Sequence, residues 1–484
     1  MGAWCSWFVP RGNDRDAPRV VHRTARIGLR VTRAQRRRCF GLLVSAGDVW
    51  ACVLDMNRWR RQRGLPAMVN FQELCRELHN SGPGVFGELA SIPAEGMLRR
   101  FSDAWFSAAK RRRQGDTSAR YPRRKRRLMP VRFRHGAFTT QGRRLRLATA
   151  RGCPPLWVRL DRDPPYPAEQ VRSVTLLADG GRLFVEVTAQ VPVATYPPGA
   201  EPDPSRVAGV DPGVIHLYAA AGPDEQGLLV SGRAVRAENH LHLRDTKART
   251  KATARRAPTK GQAGSRRWKK TRTRQRKLQA RHHRRITQAH HEAARDVVQW
   301  AIQHRIGILK IGDPRGVLEL TAGRRHNKRL RDWRVGHLIT CLRDKAEQAG
   351  IDTHLVDERG TSSTCPTCDR RVPKPKNRNF SCPHCAFTGH RDLVGGANIA
   401  TRTIGGGTIT ADRNPFPTVI QHRRAGRHLP GVNSARRDPR RRPHHGTVRG
   451  SPGRPRPAPP EMGTSLAHQA RISQHHLDSE ANVA

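Results

Sequence analysis

An α/β fold built on an RNase H-like sheet, with a four-cysteine zinc ribbon inserted near its end, is what this sequence predicts, and three observations predict it. Short strands of buried character end on acids: residues 207–210 run into Asp211, 306–311 into Gly312-Asp313, and 353–356 into Asp357-Glu358. Helical periodicity lies between the later strands, with Ile286, Ala289, Ala293, Val297 and Trp300 on one face of a long basic segment. Two C-x2-C knuckles, Cys365-Pro-Thr-Cys368 and Cys382-Pro-His-Cys385, stand thirteen residues apart. At that spacing four thiolates converge on one tetrahedral zinc. A shell filled by four thiolates leaves no open position, so this single zinc is expected to be structural.

Composition narrows the partners. The 484 residues suffice for two or three domains. Lys and Arg outnumber Asp and Glu by 91 to 39, a formal net charge of +52. A compact fold carries such a charge only against a polyanion or by way of a disordered tail, and nucleic acid is the leading partner. A membrane is the weaker alternative, because no run of eighteen apolar residues is present. Six of the ten cysteines, at 5, 39, 52, 75, 153 and 341, are scattered without spacing, which suits free thiols in a reducing compartment. The first twenty residues lack the apolar core of a signal peptide. The expected location is the bacterial cytoplasm, at the nucleoid.

Along the chain, residues 1–20 read as a disordered leader and 21–31 as a strand. Thr32 caps a helix through Phe40, Leu43, Val49, Val53 and Leu54, and Trp59 reads as a packed core residue. Residues 70–115 continue as short helices ending in Lys110-Arg111-Arg112-Arg113, and Arg123-Arg124-Lys125-Arg126-Arg127 reads as a solvated or phosphate-facing loop. Residues 130–192 read as strands, with a hairpin turn at Asp179-Gly180-Gly181. Pro197, Pro198, Pro202 and Pro204 mark a boundary. After the strand ending at Asp211 come two short strands, 216–220 and 228–230. The basic stretch 233–304 is broken by Pro258, Gly261 and Gly264 and is helical in its second half. Arg266, Arg267, Lys269, Lys270, Arg272, Arg274 and Arg276 crowd the start of that helix, a density that favours phosphate contact over a merely solvated face. A helix at about 332–349 precedes the strand at 353–356. Beyond Gly405 large apolar residues are few, so 405–484 is expected to be a disordered basic tail.

Acids at neighbouring strand ends can hold two divalent cations for phosphodiester hydrolysis, and Mg²⁺ favours carboxylate oxygens. Four segments carry a family resemblance. Gly209-Val210-Asp211-Pro212-Gly213 resembles the first RuvC motif of the TnpB family, and Arg391-Asp392-Leu393-Val394-Gly395-Gly396-Ala397-Asn398-Ile399 its third. Glu358-Arg359-Gly360-Thr361-Ser362 leading to Cys365 resembles the family's approach to the ribbon, and Gly264-Ser265-Arg266-Arg267-Trp268 the segment between the first two motifs. TnpB proteins are transposon-encoded RNA-guided nucleases, also called transposases, and relatives of compact type V CRISPR effectors. The resemblance spans about 21–404 and is specific from 206 to 400.

It implies an N-terminal β-barrel wedge over 21–205, interrupted by a helical recognition lobe at about 46–128, that grips a guide RNA. It implies a split RuvC-like nuclease domain over 206–404 with the zinc ribbon at 361–390. Asp211 and Asp392 become ligands of two catalytic Mg²⁺, and the guide reads a double-stranded DNA target by base pairing. The implied function is that of an RNA-guided DNA endonuclease of a transposable element; the alternatives are a cleavage-deficient guided DNA-binding protein and a transposase accessory factor. One departure stands out. Gly312 occupies the position where the family has a Glu before the Asp. Asp313, Glu319 and Glu358 are candidate substitutes, and Glu358 is the expected one. Its strand should lie parallel to the strand ending at Ile311, about 4.8 Å away, while side-chain alternation turns Asp313 aside.

Overall fold

The computed structural model describes residues 19–82, 84–123, 127–259, 261–314, 332–373, 377–403 and 415–429. The leader, most of the tail, Glu319 and Arg124–Arg126 of the second basic run lie outside the described residues. Two compact units emerge: one gathers Thr24–Thr188 and Ala234–Ala289, the other Ala189–Arg233 and His290–Ala425.

The first unit begins with β1 (Val20–Arg30) and α1 (Arg33–Gln62). Thr32 and Gln35 form a reciprocal capping box, each side chain accepting from the other's backbone N–H. α2 (Phe71–Asn80) and α3 (Ser91–Arg113) follow, the latter longer than the short helices expected. Strands β2 (Val131–Arg134), β3 (Phe138–Gln141), β4 (Arg144–Leu147), β5 (Leu156–Leu160), β6 (Val171–Asp179) and β7 (Arg182–Pro192) complete a near-closed barrel of order β2-β6-β7-β1-β5-β4-β3. Three helices thus interrupt the barrel between its first and second strands. The hairpin expected at Asp179-Gly180-Gly181 joins β6 to β7, and both glycines take positive φ (59° and 79°), as the tight hairpin turn demands.

The helices and strands of this unit share one core that includes Ile27, Leu42, Trp50, Phe101, Phe133, Leu145 and Val185. α1 is long and apolar enough by composition to cross a membrane, but its buried stripe, Leu42, Leu43, Ala46, Val49, Trp50 and Val53, belongs to that core. Trp59 falls off the stripe. It is 48% exposed, with the Arg63 guanidinium 4.1 Å over its ring, and so is not the core residue expected.

The basic stretch forms two helices, α4 (Arg233–Ala254) and α5 (Arg266–Gln303), where the sequence pattern suggested one. Contacts of Thr250 with Gln275, His242 with Gln279 and Glu238 with Arg285 run them antiparallel. The apolar face read from the sequence of α5 is buried at all five positions.

In the second unit, β8 (Asp203–Asp211), β9 (His216–Ala221) and β10 (Gln226–Ser231) form an antiparallel meander. β11 (Ile306–Asp313) pairs parallel with the other side of β8, and β12 (Asp352–Asp357) pairs parallel with β11. This is an RNase H-like α/β core. α6 (Val335–Gln348) links β11 to β12. β13 (Asn379–Ser381) and β14 (Thr388–His390) form the ribbon hairpin, directly followed by α7 (Arg391–Ala400).

The expectation of a disordered tail fails at β15 (Val419–Arg424), which pairs parallel with β10 over six residues. Backbone hydrogen bonds to an open sheet edge hold it there. Just ahead of it Phe416 packs edge-on against Phe387 of the ribbon at 4.9 Å.

Candidate metal centres

Three glycines bring the first and last acid motifs together. A side chain on Gly209 of β8 would collide with the Gly396 carbonyl and the Ala400 amide, so α7 rests directly on the β8 backbone. A Cβ on Gly395 would stand 2.6 Å from Asp211 Oδ2. The Asp211 carboxylate therefore lies against α7, one helical turn from Asp392. Lys310 of β11 fixes the other end of the helix. Its buried ammonium donates to the Ala400 and Arg402 carbonyls at 2.7 and 2.8 Å, offsetting the negative end of the helix dipole.

Glu358 reaches the same place from β12. β11 and β12 pair parallel, with Gly312 opposite Val356, as the sequence predicted. A Cβ on Gly312 would meet Glu358 Oε2 at 3.0 Å and Glu358 Cβ at 3.3 Å. The Glu358 side chain thus fills the space that a residue at 312 would use. Thr361 ties the turn, its backbone N–H and hydroxyl both donating to the Glu358 carbonyl at 3.2 and 2.8 Å. Asn398 of α7 donates to the Thr361 and Thr364 carbonyls at 2.7 and 2.8 Å, fastening this turn to the helix that carries Asp392. Asp313 follows Gly312 in the extended strand, so alternation sends its side chain the other way.

The electrostatics record the proximity of the three acids. The Asp211 carboxyl is pushed up to about 8, first by burial and then by the charges of Glu358 and Asp392. Asp392 goes the other way. Burial raises it, but the hydrogen bond from His216 and the charge of Arg378 outweigh burial and hold it below the usual range. His216 Nδ1 stands 2.8 Å from Asp392 Oδ2, and Arg378 donates to both carboxylate oxygens. The His390 Nδ1 accepts from the Asp392 N–H at 3.3 Å, capping α7. His216, His390 and Asp392 therefore form a candidate metal-binding group, with ligand atoms within 4.8 Å of one another. Of these the sequence reading assigned only Asp392 to the nuclease centre, and it weighed His390, like His384, only as an alternative ligand beside the four thiolates. Nothing local marks His216 or Arg378, which arrive from β9 and from between the two knuckles.

The ribbon assembles from two matching knuckles. Cys365 and Cys385 sulfurs lie 3.5 Å apart, Cys368 and Cys382 3.6 Å, and all four are mutually within 4.8 Å. Two thiolates on a tetrahedral zinc at about 2.3 Å each stand about 3.8 Å apart, so the donor set fits zinc. Asp369 and Ala386, each directly after the second cysteine of a knuckle, both take positive φ (57° and 56°). Burial pushes the Cys382 thiol up, but the His384 and Cys385 amides overcome it and bring the thiol down to about 7, whereas at Cys385 the Phe387 amide is outweighed by burial and the other three cysteines, which push that thiol up to about 12. Cys365, Val372, Phe380, Cys382 and Val394 form a small core beneath the knuckles.

The predicted phosphate-binding residues lie on the first turns of α5. Arg266, Arg267, Lys270, Arg272, Arg274 and Arg276 are exposed or half-buried, as is Lys269. The Gly264-Ser265-Arg266-Arg267-Trp268 motif starts the helix. Ser265 Oγ accepts from the Trp268 N–H at 3.2 Å, and the Trp268 ring folds over Gly264, where a side chain would collide with it. Arg272 stacks on the same ring at 4.7 Å.

Comparison with known proteins fits this architecture. Residues 336–399 match the family model described as Cas12f1-like, TNB domain, and residues 190–318 match OrfB_IS605, described as a probable transposase. Each match covers less than half of the chain. They single out no subtype. The matched stretches hold Asp211, Glu358, Asp392 and all four ribbon cysteines. No curated protein matches the chain. Among solved structures, the Cas12f1-sgRNA-target DNA complex is similar at 13% identity and a TM-score of 0.57, over 77% of this chain and 84% of that one. The mini-RNA-guided endonuclease CRISPR-Cas_phi3 aligns at 10% identity over 80% of this chain and 94% of that one, with a TM-score of 0.41. The Cas12f1 likeness is one of fold.

Proposed function

We propose that this chain belongs to the TnpB/Cas12f superfamily and is an RNA-guided DNA endonuclease whose third catalytic acid is Glu358. The observation that carries the reading is the Glu358 carboxylate, which fills the space above Gly312 and whose charge acts on Asp211, with Asp392 one turn along α7 from the Asp211 contact. The acids come from the end of β8, the residue after β12 and the first turn of α7, and the charges of Glu358 and Asp392 add to the rise that burial gives the Asp211 carboxyl. Two divalent cations, when bound, would activate water and stabilise the leaving oxygen of a phosphodiester.

The chain's own residues do the rest. Asp211, Glu358 and Asp392 would hold the cations. Lys310 and Asn398 hold α7 in place. His216 orients the Asp392 carboxylate. Arg378, engaged with Asp392 here, must yield that carboxylate when cations arrive, and its guanidinium is then free for a DNA phosphate.

In this proposal residues 21–205 form the wedge and recognition lobe around a guide RNA, and 206–404 form the nuclease with its ribbon. The basic start of α5 contacts nucleic-acid phosphates. The Cas12f1 structure holds an sgRNA and target DNA, which supports RNA and DNA as the partners.

The test is Mg²⁺-dependent cleavage of target DNA by the protein with its co-purified RNA, comparing the parent with Glu358→Gln and Asp313→Asn. Loss of cutting in Glu358→Gln alone, with DNA binding intact, is expected. Guided DNA binding without cleavage by the parent protein would favour the cleavage-deficient alternative.

A further inference from the structure

Outside the nuclease centre and the ribbon, the described residues contain one more cluster with metal-ligand chemistry. His291 projects from α5, and His337 and Cys341 stand one turn apart on α6. We propose that these three side chains form a second transition-metal site, of the zinc class, which clips α5 to α6.

The geometry carries the proposal. Cys341 Sγ lies 3.5 Å from His337 Nδ1, 3.8 Å from His337 Nε2 and 4.0 Å from His291 Nε2, and each of the three residues offers a ligand atom within 4.8 Å of the others. A sulfur at about 2.3 Å and a nitrogen at about 2.0–2.1 Å on one tetrahedral metal stand about 3.6 Å apart. The two sulfur–nitrogen separations need shorten by only a few tenths of an ångström.

A fourth residue orients the ligands. His290 Nδ1 lies 3.0 Å from His337 Nδ1. With His337 bound to metal through Nε2, its Nδ1 carries the proton and donates it to His290, the arrangement that fixes imidazole tautomer and angle in metal sites. His290 is itself fully buried, so this support is built into the core. Cys341 is buried and His291 exposed, which leaves one open side for the metal to approach and for a water to take the fourth position.

The chemistry selects the ion. Two imidazoles and one thiolate are borderline-soft donors that favour zinc or cobalt over Mg²⁺, so the site does not compete for the cations of the nuclease centre. Binding converts the Cys341 thiol to thiolate and releases one proton to solvent. The consequence is mechanical. α6 leads into β12, whose end carries Glu358, and Tyr218 of β9 already donates to the Leu338 carbonyl of α6 at 2.8 Å. A metal joining α6 to α5 adds a second tie on the same helix.

Co²⁺ titration of the full-length, chelator-stripped and reduced protein, followed by visible absorption, tests this. Counted by thiolate-to-cobalt absorption, which ions at the carboxylate centre do not give, the parent should take up two Co²⁺ per chain, one with the intense bands of a four-thiolate site and one weaker. Cys341→Ser and His291→Ala should each reduce the stoichiometry from two to one and leave the four-thiolate spectrum intact. His291 is exposed, so its removal reports on the site even if Cys341→Ser unfolds. Uptake of a single Co²⁺ by the parent, or of two by the His291→Ala protein, overturns the proposal.

Discussion

Replacing Gly312 by alanine places a methyl group in the space that Glu358 fills. The new Cβ would lie 2.8 Å from Ile399 Cδ1 and 3.0 Å from Glu358 Oε2, where ordinary contacts are about 3.5–4.0 Å. Ile399 is fully buried on α7, and the Gly209–Gly396 contact holds that helix on β8, so Ile399 has little room to move. Glu358 must give way, by roughly 0.5–1 Å. Overpacking of this kind costs about 1–3 kcal/mol, a fall in melting temperature of about 2–4 °C for each kcal/mol in a domain of this size. Cleavage should fall further, on the order of 100-fold, because a misplacement of about 1 Å at a reacting centre costs that much.

The assay is single-turnover cutting of target DNA by the RNA-loaded protein, beside a melting curve. The reciprocal variant Gly312→Glu/Glu358→Ala returns a carboxylate to β11 and should recover much of the rate lost in Glu358→Ala alone. If Gly312→Ala melts lower yet cuts at the parental rate, the position of Glu358 has no part in cleavage.

Further consequences concern the same unit and the basic helix. With its carboxyl raised to about 8, Asp211 contributes stability to the metal-free protein that is full below about pH 3.8 and lost as pH rises through about 8. Asp211→Asn should therefore raise the metal-free melting temperature at pH 8, by an amount that shrinks toward pH 4, and should abolish the stabilisation by Mg²⁺; a pH series of melting curves measures both. Arg378→Ala removes the cation's competitor at Asp392 and should lower the Mn²⁺ concentration for half-maximal cleavage by about 3–10-fold, the scale of a partly exposed charged pair. Lys310→Met leaves the α7 carbonyls without their charged donor and should destabilise by about 2 kcal/mol in denaturant melts. Replacing Arg267, Lys270 and Arg274 together by alanine should lower the salt slope of RNA affinity by about 0.7 for each phosphate that the protein no longer neutralises, as measured by binding at several salt concentrations.

The sequence made the sheet legible because its strands announce themselves as apolar runs ending on acids. The parallel pairing of β11 with β12 followed from the RNase H-like sheet expected of the chain, and the expected position of Glu358 followed from that pairing. The ribbon was legible because C-x2-C spacing is local chemistry. Trp59 was misread because one aromatic near a helical stripe does not show which side of the stripe it takes. β15 was missed because its strand is rich in polar and basic residues, and only the open edge of β10 gives it a partner. Cys341 was set aside as a scattered thiol. The four-residue step from His337 was visible, but its partner His291 comes from a distant helix. Arg378 and His216 reach Asp392 through tertiary contacts alone, which no local pattern encodes.

The account stands on Asp211, Glu358 and Asp392 sharing cations, and Mn²⁺ anomalous diffraction from crystals of the RNA-bound protein tests that most directly. Two peaks about 3.5–4 Å apart, ligated by all three carboxylates with Arg378 withdrawn from Asp392, are the predicted result. Peaks coordinated by Asp313 in place of Glu358, or a lone ion held by His216, His390 and Asp392, would contradict it.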